Sequence, residues 1–337
     1  MRRLFSAGRL LALGLVLVAV VLGLAVVPSN DYIFLPDPAH PVAPLVTVPG
    51  GHDPAHGAIY FVDVVVRKAS LLERILGGRL HHGADVFPAS AVNPPGVDDA
   101  QRAQIDVQDM SRSEQIAAAV ALKAAGKKVT LKSTGARVDL LQPGMPAVGK
   151  LQPDDVLTAV NGVRVRSPQD VHNTMSKYHV GDVVRFTVLR GTKELVIPIR
   201  TVAASAKEPH RPAVGVFLTT ELDIQLPIEV RIDAGNVGGP SAGLAFALQV
   251  YMEEGHDILH GHRVAATGEI FADGSVWPIG GVKQKTIGAR DAGVDAFLVP
   301  AGENAREARK YAGGLRIIPV ESFPQALRAL ATLAPAA

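Results

Sequence analysis

A long apolar run near the N-terminus constrains this chain more than any other feature of its sequence. Residues Leu10 to Val27 are all apolar or glycine, and Arg2, Arg3 and Arg9 precede them. A run of this length is sufficient for a helix that spans a bilayer, whereas the apolar core of a secretory signal usually has about 7 to 15 residues. The run therefore predicts an uncleaved single-pass anchor, with cleavage near Gly23-Leu24-Ala25 as the alternative.

The arginines on the short N-terminal flank predict the orientation of this anchor. Basic residues next to a membrane span are retained preferentially on the cytoplasmic side. We therefore expect a cytoplasmic N-terminus, with the chain after Pro28 outside the cytoplasm at the cell membrane. A catalytic domain in that location would have no supply of ATP.

The charge and the cysteine content exclude several classes of function. The 337 residues include 34 lysines and arginines against 32 aspartates and glutamates, so no basic field predicts a nucleic-acid partner. The chain has no cysteine, which excludes disulfides, thiolate catalysis and cysteine-ligated zinc. Any nucleophile must therefore be an oxygen or an amine. The length allows two globular units and a tail.

A β-rich module is predicted between residues 126 and 205. Asn161-Gly162 is a strong signal for a type I′ hairpin, and Ser167 is expected to cap a helix. Strands are predicted at 183–189 and 194–199 from their β-branched and alternating residues. The module therefore reads as a small sheet with one helix.

This order of elements, together with the Pro-Gly turn at 143–144, resembles a PDZ domain. Domains of that kind take up an extended peptide as an added strand. The resemblance implies peptide binding by the module. It places the peptide-binding loop at Gly135, Ala136, Arg137 and Val138.

Ser241 is predicted to lie at the start of a helix. Residues 228–233 alternate apolar and charged side chains as a half-buried strand does, and a glycine-rich turn then ends at Gly239. Apolar residues from Leu244 to Tyr251 recur at helical spacing behind it. The first amides of a helix lack partners within the helix and its dipole is positive there, so the position suits a nucleophile and its oxyanion. The same pattern also fits a serine that only begins a helix.

A second predicted helix turns a lysine toward the interior. Lys285 shares a small, apolar face with Ala289, whereas Lys283 and Gln284 are expected to face water. A lysine that is kept from water has a lowered pKa, so its neutral amine can act as a base near pH 7. Taken alone, Lys285 also fits a side chain whose stem packs while its amine reaches solvent.

Three motifs together resemble the Lon protease domain. They are Gly239-Pro240-Ser241-Ala242-Gly243, Thr267-Gly268-Glu269, and the run from Pro278 to Lys285. The resemblance implies that Ser241 is the nucleophile and that Lys285 is the general base. It also implies that Thr267 holds the lysine in line, with Gly239 and Ala242 in supporting positions.

Two features depart from that family pattern. Gly238 stands three residues before the nucleophile, where many Lon enzymes have an aspartate, and no ATPase motor accompanies the domain. An anchor and a PDZ module instead of a motor is the arrangement of the YlbL-like PDZ-Lon proteins of bacterial membranes. In that family the PDZ domain interrupts the catalytic domain, which implies that residues 55–125 pack with the residues after about 210.

The resemblance implies an α/β (α+β) Lon proteolytic domain with an inserted PDZ domain and one transmembrane helix. The expected order is anchor (1–27), linker (28–54), N-terminal protease region (55–125), PDZ domain (126–205) and catalytic part (206–337). The expected function is ATP-independent, PDZ-assisted hydrolysis of unfolded or flexible extracytoplasmic proteins, without metal, cofactor or nucleotide. A homo-hexamer is implied by resemblance only. The alternative function is a catalytically silent, membrane-anchored scaffold that binds peptides.

Three other motifs predict competing functions less well. Residues 144–150 have the spacing of a P-loop, but Leu151 cannot bind magnesium and Pro146 removes one loop amide. Residues 239–243 also fit the nucleophile elbow of α/β-hydrolases, which requires a histidine far beyond the serine. The last histidines, at 256, 260 and 262, lack the glutamate of a His-Glu-x-x-His zinc motif and are expected in a surface turn.

Overall fold

A computed structural model of the chain describes residues 7–52, 56–93, 97–235 and 237–335. The chain divides into two compact units. Unit 1 comprises Met1–Pro94, Asp106–Ala125 and Ile228–Ala337, and unit 2 comprises Pro95–Ile105 and Gly126–Pro227. Each unit is therefore built from segments that are distant in sequence.

The described residues form helices and strands with the following bounds. The helices are α1 Ala7–Val26, α2 Leu71–Leu76, α3 Ala89–Val92, α4 Asp99–Ala124, α5 Pro168–Met175, α6 Gly243–Glu253, α7 Val282–Asp291, α8 Glu303–Tyr311 and α9 Phe323–Ala331. The strands are β1 Pro28–Pro36, β2 His40–Pro41, β3 Val46–Thr47, β4 Ala58–Phe61, β5 Val64–Ser70, β6 Asp85–Pro88, β7 Thr130–Leu141, β8 Val156–Val160, β9 Val163–Arg164, β10 Val183–Arg190, β11 Lys193–Arg200, β12 Val202–Ser205, β13 Glu208–Ala213, β14 Val216–Gln225, β15 Arg231–Ile232, β16 Arg263–Ala266, β17 Glu269–Ile270, β18 Val276–Trp277, β19 Ala296–Pro300 and β20 Arg316–Val320.

A five-stranded sheet forms the centre of unit 1. Its order is β2-β4-β16-β19-β20, in which β4, β16, β19 and β20 run parallel and β2 is antiparallel to β4. Ile59, Ala265 and Phe297 in three of the parallel strands are fully buried. Parallel strands covered by helices read as continuous apolar runs, which explains their sequences. Helix α6 packs against β4 and β16.

The segment predicted to be a linker, residues 28–54, is instead folded as part of unit 1. Strand β1 lies between β5 and β6 in an antiparallel sheet, β2 pairs with β4, and β3 pairs with β15. Ile33 and Val42 are fully buried. The prediction was wrong because the prolines and glycines of this segment obscured the strand-forming run Tyr32 to Leu35. Its last two residues, 53 and 54, lie outside the described part of the chain.

The N-terminal apolar run forms helix α1, and its side chains from Leu11 onward are largely exposed. Among the residues that the structure describes, no helix combines the length and the apolar character needed to cross a membrane. Arg2 and Arg3 of the predicted anchor lie outside the described residues. Anchoring through residues 10–27 remains a prediction from the sequence.

Unit 2 is built on a sheet with the order β11-β10-β8-β7-β14, and β9 pairs with β8. The turn between β8 and β9 is Asn161-Gly162, with both residues at positive φ as a type I′ hairpin requires. The Ser167 side chain caps α5 by accepting a hydrogen bond from the amide of Asp170. Leu157 and Phe186 are fully buried in the core of this unit.

The last strand of unit 2, β14, lies beyond the predicted end of the PDZ domain at residue 205. It pairs with β7 along its length, from Val216 opposite Leu141 to Gln225 opposite Thr130. Unit 2 therefore continues to Pro227, and the predicted division at 205/206 is corrected. No strand of the described residues pairs with the second edge of β14.

Candidate active site

The turn that carries Ser241 is held from helix α4. Gly239 has a φ of +82°, a conformation that favours glycine, and Pro240 begins a 3-10 turn that leads into α6. The amide of Gly239 donates to the backbone oxygen of Asp106 at 2.8 Å. Ser113 Oγ donates to the backbone oxygen of Pro240 at 3.0 Å. The backbone immediately before the serine is therefore fixed.

The backbone of Ser241 is also bonded to the end of the central strand β16. Its oxygen accepts hydrogen bonds from the amide of Gly268 at 2.8 Å and from Thr267 Oγ1 at 3.0 Å. The amide of Leu244 donates in return to the oxygen of Gly268 at 3.1 Å. Thr267 and Ala242 are both buried. Strand β16 and the start of α6 are thus joined directly at the serine.

Lys285 reaches the serine from helix α7. Its side chain is buried, with 4% of the residue exposed. The distance from Lys285 Nζ to Ser241 Oγ is 2.6 Å, and the distance to Thr267 Oγ1 is 3.3 Å. Side chains from α7, from the 3-10 turn and from the end of β16 therefore meet at one point.

The surroundings of Lys285 change its acid–base behaviour. Burial lowers the pKa of Lys285 from 10.5 to about 8, and the negative charge of Asp63 opposes part of this effect. An amine with that pKa is neutral in about a tenth of the molecules at pH 7. Since a neutral amine in contact with a hydroxyl can accept its proton, the site places a usable base beside a serine.

The opposite side of α7 differs from the sequence prediction. Lys283 Nζ lies 2.8 Å from Asp85 Oδ1 at a partly exposed position. Gln284, which was expected to face water, is 2% exposed and donates to the backbone oxygen of Gly83 at 3.0 Å and to Asp85 Oδ2 at 2.9 Å. The expectation for Gln284 was wrong because residues 83–85 cover this face of the helix. The periodicity of α7 alone does not reveal that cover.

The loop predicted to bind peptides in unit 2 is the interior of a strand. Gly135, Ala136, Arg137 and Val138 lie within β7, which is paired with β14 on one side and with β8 on the other. Ala136 and Val138 are fully buried, and the amide of Val138 donates to the oxygen of Asp155 at 2.8 Å. Backbone groups engaged in two ladders are not free for a peptide, so these four residues do not form the peptide-binding loop.

One group of side chains has the spacing of potential metal ligands. Asp37, His40 and Asp63 bring ligand atoms within 4.8 Å of one another, and the described residues contain no second group of this kind. His40 Nε2 lies 2.8 Å from Asp37 Oδ2 and 3.9 Å from Asp63 Oδ1. The first distance is that of a hydrogen bond, and the second places the Asp63 carboxylate beside the same imidazole, so the three side chains form a carboxylate–imidazole cluster.

Two residues near the site were missed by reasoning from the sequence. Ser113 is 3% exposed within α4, and no motif marks it. Asp63 follows β4 at the carboxyl end of a central parallel strand. Active and ligand-binding sites in open α/β sheets lie at the carboxyl ends of the strands. An acidic residue two positions after an apolar parallel strand is therefore a signal that identifies Asp63.

The fold and the site define a protein with a peptidase-type α/β unit and a PDZ-type unit. Residues 202–332 match the Lon protease (S16) C-terminal proteolytic domain, and residues 120–201 match the PDZ domain. The chain therefore combines a Lon-type (S16) serine peptidase domain with a PDZ domain. This is the domain combination of the PDZ-Lon proteins that its motifs resemble.

Individual relatives match only parts of the chain. Lon protease 2 of Bacillus subtilis (strain 168) is 36% identical over 107 residues, which are 32% of this chain and 18% of that protein. Lon protease 2 of Thermus thermophilus is 32% identical over 132 residues, which are 36% of this chain and 16% of that protein. The chain thus spans less than a fifth of the length of these two relatives. For this chain, the activities of those whole proteins are therefore only proposed.

A solved PDZ domain is similar to part of this chain. The PDZ domain of the SdrC-like protein from Listeria monocytogenes has 26% sequence identity and a TM-score of 0.24, covering 25% of this chain and 87% of that one.

The match to the Lon domain begins at residue 202, although β14 belongs by its pairing to unit 2. Strand β4 precedes the matched range, yet it pairs with β16 at the centre of unit 1.

Proposed function

We propose that the protein is an ATP-independent endopeptidase that hydrolyses unfolded or flexible proteins through a dyad of Ser241 and Lys285. The observation that carries this proposal is the 2.6 Å contact between Lys285 Nζ and Ser241 Oγ at a buried position. Removing an ammonium from water costs free energy, so a buried lysine aimed at a helix-start serine favours a catalytic role over a structural one. The match of residues 202–332 to a proteolytic domain supports the same class of activity.

In the proposed reaction, Lys285 transfers one proton in each of two half-reactions. The neutral amine accepts the proton of Ser241 as Oγ attacks the scissile carbonyl carbon, and backbone amides of the turn at Ser241 and Ala242 stabilise the oxyanion. The ammonium then protonates the leaving amine, so that the C–N bond breaks and an acyl-enzyme remains. A water then gives one proton to Lys285 and attacks the ester carbonyl; the ester C–O bond breaks, Lys285 returns that proton to Ser241 Oγ, and the carboxylic acid product leaves. Thr267 Oγ1, at 3.3 Å from Nζ, keeps the amine in line.

The Ser241→Ala variant is expected to lose hydrolysis by at least about a thousandfold, because no other group replaces the nucleophile. The full-length protein in detergent is incubated with a dye-labelled unfolded protein in the absence of ATP, and the release of labelled peptides is measured. Ser205→Ala, at an exposed position of unit 2, is the matched control and should keep full activity.

The result also decides between the protease and a catalytically silent scaffold that binds peptides. A scaffold predicts that the wild-type protein binds the unfolded protein but releases no peptides. Undiminished hydrolysis by Ser241→Ala would contradict the assignment of the nucleophile. The contact between Lys285 and Ser241 favours the protease, since a scaffold gains nothing from a lysine with a lowered pKa beside a serine.

The proposed recruitment of substrate by unit 2 uses the free edge of β14. One edge of this strand pairs with β7, the other pairs with no strand of the described residues, and α5 contacts it. An extended peptide can add to such an edge through main-chain hydrogen bonds. This edge replaces residues 135–138 as the proposed peptide-binding element.

Binding of an unfolded peptide to the Ser241→Ala protein is expected to slow hydrogen exchange in β14. Its edge amides would gain acceptors from the added strand, whereas the amides of β10 are already bonded within the sheet. Exchange is followed by mass spectrometry with and without peptide, and β10 serves as the internal control. Unchanged exchange at residues 216–225 under saturating peptide would exclude this edge as the binding site.

Membrane anchoring, an extracytoplasmic location and assembly into a ring are also parts of the proposal. The exposed apolar side chains of α1, from Leu11 to Val26, support anchoring because such a surface is normally covered. The N-terminal arginines support an extracytoplasmic catalytic unit. Assembly as a homo-oligomer, a hexamer in Lon domains, is proposed from the resemblance.

A further inference from the structure

Asp63 follows strand β4 at the same end of the central sheet at which Thr267 and Gly268, the residues that bind Ser241, follow strand β16. Strands β4 and β16 are parallel and paired in register, with Phe61 opposite Ala266. The residues that follow, Val62 and Asp63 on one strand and Thr267 and Gly268 on the other, therefore emerge side by side. Thr267 contacts the amine of Lys285.

Two glycines, one before α7 and one within it, let the chain around Asp63 approach this helix. Gly281 is the N-cap residue, four positions before Lys285, and Gly288 lies within α7, three positions after Lys285 on the same face. A Cβ at Gly281 would lie 2.7 Å from Val64 Cγ2, and a Cβ at Gly288 would overlap the backbone oxygen of Asp37. The segments that carry Asp37 and Asp63 are therefore packed against the lysine's own face.

The carboxylate of Asp63 has an unsatisfied oxygen at this place. Oδ1 is shielded from water and has no hydrogen-bond partner within the described residues, although His40 Nε2 lies 3.9 Å away. His40 in turn contacts Asp37 Oδ2 at 2.8 Å. An ammonium has three donors, and among the described residues Ser241 Oγ and Thr267 Oγ1 accept from Lys285. An unsatisfied buried acceptor thus lies in the segment that packs beside the N-terminal end of α7, and its charge acts on Lys285.

We propose that Asp63 is a positioning residue of this site, whose negative charge stabilises the ammonium that forms on Lys285 when Ser241 gives up its proton. This proposal rests on the proposed function. Asp63 touches neither substrate nor the reacting oxygen, and acts through Lys285 alone. His40 Nε2, which contacts Asp37, lies 3.9 Å from the Asp63 carboxylate.

The electrostatics of the group agree with this role. Burial lowers the pKa of Lys285, and Asp63 raises it. Burial also raises the pKa of Asp63, as does the neighbouring Asp37, whereas His40 and Lys285 lower it. The carboxylate thus keeps the amine from becoming too weak a base. The carboxylate also stabilises the positive charge that develops on the amine during the reaction, as an orienting carboxylate does for a catalytic histidine.

The Asp63→Asn variant tests the proposal through the pH dependence of hydrolysis. For the wild-type protein the rate of hydrolysis should rise about tenfold per pH unit at low pH and level off above an apparent pKa near 8, because only the neutral amine accepts the proton. This rising part of the profile is the limb. In Asp63→Asn this limb is expected about one pH unit lower, since an attractive charge is lost. The plateau rate should fall about tenfold, because the ammonium is less stabilised. KM for a short unfolded peptide should stay unchanged.

Asp85→Asn is the matched control, because Asp85 is the carboxylate on the opposite side of the same helix, paired with Lys283. It should leave the limb and the plateau unchanged, and Asp63→Glu should restore the limb toward that of the wild type.

If Asp63→Asn fails to fold, Asp63→Ser replaces it. A pH profile of the neutral variant that superimposes on the wild type overturns the proposal. A wild-type profile that changes on addition of EDTA also overturns it, since the three side chains would then hold a cation.

A second readout separates this proposal from the proposed function. The pH at which Lys285 becomes reactive toward acetic anhydride is measured by mass spectrometry in full-length Ser241→Ala and in Ser241→Ala/Asp63→Asn. A lower midpoint in the double variant supports the coupling between Asp63 and Lys285, and equal midpoints refute it. If the wild-type protein hydrolyses nothing while these midpoints differ, the proposed function fails and the coupling stands.

Discussion

Lys285→Arg is expected to abolish peptide-bond hydrolysis, by about a thousandfold or more, although the positive charge remains. A guanidinium has a pKa above about 12 and is not deprotonated in a protein, so it cannot accept the proton of Ser241. The buried site also leaves little room for a larger side chain, since Lys285 is 4% exposed. The variant therefore removes the base and keeps the charge.

The measurement is the rate of peptide release from an unfolded protein at several pH values, with folding checked by circular dichroism. Lys283→Arg, two residues earlier on α7, is the matched control, because an arginine can keep the ion pair with Asp85. This control should retain its activity. A Lys285→Arg protein that hydrolyses at the wild-type rate would rule out Lys285 as the base.

Lys285→Met is expected to be inactive but more stable than the wild type at neutral pH. A pKa lowered from 10.5 to about 8 corresponds to about 3 kcal/mol by which folding disfavours the charged lysine. The unfolded chain binds the proton more tightly, so stability of the wild type is reduced below pH 8 and recovers as pH rises from 8 toward 10.5. Methionine carries no charge, and its advantage should shrink over the same interval.

The free energy of unfolding is measured in urea at pH 7 and at pH 10 through the fluorescence of Trp277, the single tryptophan, which lies in unit 1. The lowered pKa of Lys285 already includes its attraction to Asp63, so the expected gain at pH 7 is about 3 kcal/mol. A difference between variant and wild type that does not change with pH would show that the lysine is not kept from water.

Each feature of the site that the sequence predicted belongs to a single local element. A turn rich in glycine, followed by apolar residues at helical spacing, predicts a serine at the start of a helix. The small residues around Lys285 predict its inward direction. That the two side chains meet at 2.6 Å, although they are 44 residues apart, is not contained in either pattern. The resemblance to the Lon domain suggested the pairing.

The predictions that failed did so where the partner is distant in sequence. Gln284 is covered by Asp85, which is 199 residues away. Residues 135–138 are enclosed by β14, about eighty residues further on, so a segment that resembled a binding loop is an interior strand. The segment 28–54 looked irregular because its strands have their partners elsewhere in unit 1.

The sequence by itself determined the local elements, the absence of thiol chemistry, and the identities of the serine and the lysine at the site. The tertiary structure alone decided which groups lose water and which charge stands next to them. Burial and strand pairing depend on segments brought together by folding, and the pKa of Lys285 depends on both burial and Asp63. A base strength set by surroundings is therefore a property of the fold, even where a motif identifies the base.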